Sequence, residues 1–223
     1  MKISERTINL LKNYANINQS IEFQEGKTLK TVSPLNTILT SVEIEEDFPR
    51  KFPIYEVNRF LGTLSLFNDP ELNFDESGVS IADDKHSAIY RYCGSSSMFQ
   101  TPPEKEISFP EPEIVFQLSH EQFKTTINAA NTLGLPEVVV ESNNGEIELV
   151  VSDTGNASSD RFSTTVGKTD ETFRMIFKTE NLNKIMEGDY HVALSSKRIS
   201  HFKRKTDTLN YWIALEQNST YEG

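Results

Sequence analysis

The chain has 223 residues, a formal net charge of −11 and one cysteine, Cys93. That length can fill one large core or two small ones, while a lone cysteine excludes an intrachain disulfide and fits a reducing compartment. The acidic balance argues against a protein that coats nucleic acid through an overall basic surface.

Residues 1–4 lead directly into an amphipathic segment without the apolar core of a signal peptide, and no later run is long enough to span a membrane. A soluble intracellular protein is therefore expected, in which the sequons at Asn156 and Asn218 are coincidental. Residues 4–16 read as a helix with Ile8, Leu11 and Ala15 on one face and Arg6, Asn9, Asn13 and Asn16 on another. Segments 20–23, 28–33 and 37–44, separated by Gly26, Pro34 and Asn36, read as antiparallel strands. Pro49 and Pro53 then set up the clearest amphipathic helix, residues 54–67. Its Ile54, Val57, Phe60, Leu61, Leu64 and Phe67 recur at helical spacing, with Arg59 opposite. Asn68-Asp69-Pro70 ends that helix, and strands are expected at 72–74, 79–82 and 88–92, with a turn at Glu76-Ser77-Gly78.

Gly94-Ser95-Ser96-Ser97, Pro102-Pro103 and Pro110-Glu111-Pro112 break the composition and read as a linker. The pattern then restarts with a helix at 119–131 and strands at 137–142, 146–152, 161–166 and 172–177. A helix at 179–187 and strands at 190–195, 199–203 and 209–215 complete it. A constant offset carries 4–16 onto 119–131, placing Phe123 on Ile8, Ala130 on Ala15, and Glu121, Lys124, Asn128 and Asn131 on the polar stripe. Leu182-Asn183-Lys184-Ile185-Met186 likewise repeats Val57-Asn58-Arg59-Phe60-Leu61. A period of about half the chain is too long for a solenoid and predicts a duplicated α+β domain. The expected boundaries are 1–93 and 113–223, joined by a linker at 94–112.

The four histidines, His86, His120, His191 and His201, are scattered, and no Gly-x-Ser-x-Gly elbow occurs. Asp153-Thr154-Gly155-Asn156 lacks the ligand series of a calcium loop, and Lys85 inside Asp83-Asp84-Lys85-His86 would repel a cation. No phosphate-cradling glycine loop is present. The expectation is a protein without catalytic residues, metal or cofactor, with Cys93 inert. Acid collects at 43–47, 69–76, 83–84, 104–113 and 137–148, whereas Arg6, Lys12, Arg50, Lys51 and Arg59 leave the helical regions neutral to positive. Basic helices and an acidic remainder suit a binding or scaffold protein.

Specific residues narrow this. Met1-Lys2-Ile3-Ser4, Thr7, Leu10 to Ala15 and Ile17-Asn18 resemble the start of the sliding clamps of T-even-type bacteriophages. So do Ile54-Tyr55-Glu56-Val57-Asn58, Phe60-Leu61-Gly62, Leu64-Ser65-Leu66 and Asn68-Asp69. Ile81-Ala82-Asp83, the linker residues Pro103, Lys105, Ile107 and Phe109-Pro110, and the closing Tyr211, Ala214-Leu215-Glu216 and Ser219-Thr220 extend the match. It runs the length of the chain and is weakest at 152–171 and 197–205.

The resemblance implies duplicated DNA-clamp domains in a homotrimeric ring, with helices lining the inside and antiparallel sheets outside. It implies a DNA polymerase processivity factor that slides on duplex DNA without sequence specificity. Its partners would be the polymerase and clamp loader of the same phage, with a link to late transcription, in the cytoplasm of the infected bacterial host. Topological linkage needs no net positive charge, and sliding disfavours base-specific contacts. On this basis Arg6, Asn9, Lys12, Asn13, Arg59, Lys124, Asn128 and Lys184 are expected to face DNA. Ile89 and Arg91 on one edge strand and Phe162 and Thr164 on another are expected at the subunit interface. Ile107 and Phe109, with Tyr211 and Leu215, are expected to wall a groove for partner peptides. The alternative is a two-domain structural or scaffold protein with no DNA role.

Overall fold

Ser4 starts the first helix: its hydroxyl accepts the backbone N–H of Thr7 at 3.2 Å, and α1 (Glu5–Ile17) follows. In the computed structural model, which describes residues 1–105 and 107–223, the chain divides into two units, Met1–Lys105 and Glu106–Gly223. The first continues through β1 (Ile21–Phe23), β2 (Gly26–Val32), β3 (Ile38–Phe48), β4 (Phe52–Ile54), α2 (Val57–Leu64), β5 (Glu71–Phe74), β6 (Gly78–Ala82) and β7 (Ser87–Arg91), then a single 3-10 turn at Ser96–Met98. Strands β2 and β3 form an antiparallel hairpin, β1 pairs with β4, and β5, β6 and β7 form a meander.

The buried face of α1 is Thr7, Leu10, Leu11, Tyr14 and Ile17. The stripe expected from sequence, Ile8, Leu11 and Ala15, lies to one side of it, because the larger Leu10, Tyr14 and Ile17 take the deeper positions and leave Ile8 and Ala15 half-buried. Helix α2 is shorter than the apolar periodicity suggested. Phe52 and Ile54 pair in β4 with Phe23 and Ile21, and the helix ends at Leu64, beyond which Asp69 takes a left-handed φ of 52°. Val57, Phe60, Leu61 and Leu64 are buried, over a core of aromatic rings. Phe23 stacks on Phe52 at 4.5 Å, meets Phe48 edge-on at 4.8 Å, and lies 6.4 Å from Phe60.

The second unit runs β8 (Ile114–Leu118), α3 (His120–Leu133), β9 (Glu137–Asn143), β10 (Glu146–Ser152), β11 (Phe162–Lys168), β12 (Phe173–Lys178), α4 (Thr179–Leu182), β13 (Tyr190–Ser195), β14 (Ile199–Arg204), β15 (Asn210–Ala214) and β16 (Thr220–Tyr221). One antiparallel sheet has the order β11-β10-β9-β12-β16, and another group runs β15-β14-β13-β8. Strand β8 lies between the expected linker at 94–112 and the helix at 119, where the sequence reading placed no element; Ile114, Phe116 and Leu118 alternate buried with exposed Val115 and Gln117. Ser119 and Gln122 form a capping box on α3, and Gly134 closes it in the left-handed conformation at φ 65°. Asn144 and Gly145 turn β9 into β10, both at positive φ. Helix α4 stops at Leu182 rather than 187: Lys184 N–H donates to Asn181 O at 3.2 Å and Ile185 N–H to Leu182 O at 3.3 Å, the three-residue spacing of a tightened turn. The second copy of the sequence repeat thus begins at a helix end and lies mostly in a turn. No helix among the described residues is long and apolar enough to cross a membrane.

Candidate nucleic-acid interface and subunit edges

Burying Leu10, Leu11, Tyr14 and Ile17 turns Asn9, Lys12 and Asn16 to solvent, with Arg6 and Asn13 half-buried on the flank of the same polar side. The Arg6 guanidinium donates through Nη1 to the Glu43 carbonyl at 3.1 Å, which ties its stem to β3. On α2, Arg59 points away from the apolar face. Its side chain is 75 % exposed, the Glu56 carboxylate is 3.9 Å away, and the Tyr90 ring centroid is 6.0 Å from the guanidinium carbon.

In the second unit, α3 buries Phe123, Thr126 and Ala130 and exposes Lys124 and Asn128. Lys124 Nζ lies 3.8 Å from Glu187 Oε2, and the same oxygen is 3.6 Å from His120 Nε2. Asn131 and Asn183 exchange amide hydrogen bonds at 3.1 and 3.0 Å, tying α3 to the turn that carries half-buried Lys184. Sequence reading did not pair Glu56 with Arg59 or Glu187 with Lys124. The three-residue spacing of Glu56 and Arg59 was readable, whereas Glu187 reaches His120 and Lys124 only through the fold.

The two strands nominated for assembly are both edge strands, β7 in β5-β6-β7 and β11 in β11-β10-β9-β12-β16. In the β6–β7 ladder, Tyr92 N–H donates to Ser77 O at 3.1 Å and Asp83 N–H to His86 O at 3.0 Å. Ile89 and Arg91 lie opposite Ser80 and Gly78, the alternate, non-bonded pairs, so their backbone groups point away from β6 toward the open edge. Ile89 is 59 % exposed, and an open groove lined by Tyr55, Arg59, Thr63, Ile89 and Arg91 runs between α2 and β7. On β11, Phe162 and Thr164 are half-buried, and the Thr165 carbonyl already accepts from Gln122 Nε2 at 3.2 Å.

Ile107 and Phe109 are half-buried, and the Phe109 ring lies 5.5 Å from His201, which stacks on Trp212 at 4.9 Å with the planes 2° apart. Burial holds the His201 pKa below its usual value. Tyr211 and Leu215 are not available to wall a surface groove: they are 0 % and 5 % exposed, Tyr211 on the core side of β15 and Leu215 just past its end, and the Tyr211 hydroxyl accepts the Met186 backbone N–H at 3.2 Å. Strand alternation instead turns Trp212 and Ala214 toward the other face. No cluster of histidine, cysteine and carboxylate suited to a metal ion occurs among the described residues.

Duplicated helix-and-sheet units with polar helical faces and unpaired sheet edges define a DNA-clamp architecture. The same architecture is found in the solved structure of the C-terminal region of FEN-1 bound to A. fulgidus PCNA. That PCNA superposes with a TM-score of 0.68 over 96 % of each chain at 16 % identity. A family model described as "gp45 sliding clamp, C terminal" matches residues 115–217. The chain is 32 % identical to the sliding clamp of Vibrio phage KVP40 over 97 % of its own length and 99 % of that protein. It is 29 % identical to the sliding clamp of Enterobacteria phage T4 over the whole of both chains. The chain belongs to the phage sliding clamp family. It is accordingly a DNA polymerase processivity factor, a ring protein acting on DNA with its polymerase, and not an enzyme. A scaffold without a DNA role is set aside by this membership.

Proposed function

We propose that three copies of this chain close head to tail into a ring around duplex DNA, and that the ring tethers the polymerase and meets the clamp loader of the same phage in the cytoplasm of the infected bacterial host. Domains 1–93 and 113–223, joined by 94–112, supply equivalent helical faces to the hole. Arg6, Asn9, Lys12, Asn13, Arg59, Lys124, Asn128 and Lys184 meet phosphates there, directly or through water. The observation that carries this reading is the pair of polar faces on α1 and α3, each beginning at a serine cap and carrying asparagines, with Arg6 and Lys12 on α1 and Lys124 on α3. Amide and cationic groups that reach phosphate but no base edge would centre a duplex and leave it free to slide.

Closure uses the β7 edge of one copy, with Ile89 and Arg91, against the β11 edge of the next, with Phe162 and Thr164. Two different edges that meet head to tail can close into a ring. Supporting this, the backbone groups of Ile89 and Arg91 are directed outward. Partner peptides dock beside Ile107 and Phe109, on the face that carries Trp212. Native mass spectrometry tests the assembly, and a mass of three chains is expected. A monomer at micromolar concentration, combined with processive synthesis unchanged by Arg59→Ala and Lys184→Ala across a salt series, would overturn the reading.

A further inference from the structure

Each unit places a carboxylate within 4 Å of a cation on the helical face assigned to DNA. In the first, Glu56 Oε2 lies 3.9 Å from Arg59 Nη1. In the second, Glu187 Oε2 lies 3.8 Å from Lys124 Nζ and 3.6 Å from His120 Nε2. The two pairs are built differently. Glu56 is the residue that precedes α2, three positions before Arg59, whereas Glu187 follows the α4 turn and reaches α3 across 63 residues of sequence. Neither pair is buried: the side chains of Arg59, Glu56, Lys124 and Glu187 are 75, 51, 52 and 54 % exposed.

Exposed pairs of this kind contribute little to folding, because water and salt screen them and holding two long side chains together costs conformational entropy. Their effect on a third charge is larger. A phosphate that approaches Arg59 or Lys124 meets a cation already partly neutralised, and a carboxylate of its own sign beside it. Binding must displace that fixed carboxylate or share the cation with it, so less is gained than from releasing a mobile counterion.

We propose that Glu56 and Glu187 are built-in counter-charges that weaken the hold of the helical faces on the phosphate backbone. The clamp thereby stays mobile on DNA. A surface that bound phosphates at full strength would raise affinity and slow sliding, whereas a ring is retained by topology and has no need of that affinity. This inference rests on the assignment of Arg59 and Lys124 to the DNA-facing side.

The test measures binding of the intact protein to a fluorescent 30-base-pair duplex by anisotropy, over a salt series starting near 50 mM. Four forms are compared: wild type, Glu56→Gln/Glu187→Gln, Arg59→Ala/Lys124→Ala, and Glu76→Gln/Asp170→Asn. The last alters net charge equally at exposed turns. The Gln double variant should bind about tenfold tighter at low salt, with a steeper salt dependence, and should diffuse more slowly along DNA. The Ala double variant should bind more weakly, and the turn variant should match wild type. If the Ala variant weakens binding but the Gln variant does not tighten it, or if the turn variant tightens it equally, the counter-charge proposal is wrong while the facing assignment stands. If the Ala variant also leaves binding unchanged, the assignment itself fails. Native mass spectrometry of each variant shows whether assembly is retained.

Discussion

Glu46 on β3 holds Thr7 on α1: its Oε2 accepts the Thr7 hydroxyl at 2.7 Å, while its Oε1 accepts the backbone N–H of Ser4. The carboxylate sits at the N-terminus of α1, where unpaired amides and the helix dipole favour negative charge. Glu46 is 8 % exposed. It therefore anchors the helix that presents Arg6, Asn9, Lys12 and Asn13.

Burial pulls the Glu46 pKa upward, but the hydrogen bonds from Thr7 and Ser4 outweigh it and hold the group below its ordinary 4.5. A depressed folded-state pKa contributes stability that is fully present above the unfolded value and is lost as pH falls through the folded one. Glu46→Gln should destabilise the protein by about 1–2 kcal/mol at pH 7. The gap to wild type should narrow below pH 4.5. Denaturant titrations at pH 7 and pH 3 check this, and an equal gap at both would show that the charge is not what matters.

Ile89→Pro should abolish assembly and spare the fold. The Ile89 N–H faces the open edge and takes no part in the β6–β7 ladder, so proline removes only a donor offered to a neighbour. Tyr90→Pro, one residue on, interrupts the internal ladder and should also lower the melting temperature. Native mass spectrometry and thermal melts together separate the two. An Ile89→Pro protein that still assembles would move the interface off this edge.

The Tyr92 hydroxyl is buried and has no hydrogen-bond partner among the described residues, and burial pushes its pKa up to about 12. The ring itself stacks on Phe52 at 5.0 Å. Because a buried unpaired hydroxyl costs on the order of 1–3 kcal/mol, Tyr92→Phe should keep the stack and raise stability by about 1 kcal/mol, a few degrees in melting temperature. A fall instead would mean that the hydroxyl is paired in the assembled ring.

Phe109→Ala removes the ring that packs against His201 and, through it, Trp212. A buried aromatic anchor in a peptide groove is worth ~2 kcal/mol or more, over tenfold in affinity. Calorimetry with the polymerase peptide should show that loss, with the oligomer mass unaltered. Unchanged affinity together with a lower melting temperature would reduce Phe109 to a pin for its own segment.

The sequence by itself determined the apolar side of α2 and the starts of α1 and α3, because both are local signals. Val57, Phe60, Leu61 and Leu64 mark one side of α2 wherever it packs, and Ser4 and Ser119 announce the two helix starts. Family membership was legible for a related reason, being carried by residue order along the whole chain. Tertiary structure decided what depends on residues far apart. Helix α2 loses Ile54 to pairing with Ile21, and α4 stops at Leu182 because the following backbone tightens into three-residue turns. Strand β15 buries Tyr211, and Leu215 just past its end is buried too, since an alternating strand has two faces and only its neighbours choose the core side. The outward direction of the Ile89 and Arg91 backbone follows from ladder parity, which requires the register with β6. The approach of Glu187 to His120 and Lys124 has no local signal at all, because Lys124 lies 63 residues away and the contact exists only once the chain has folded.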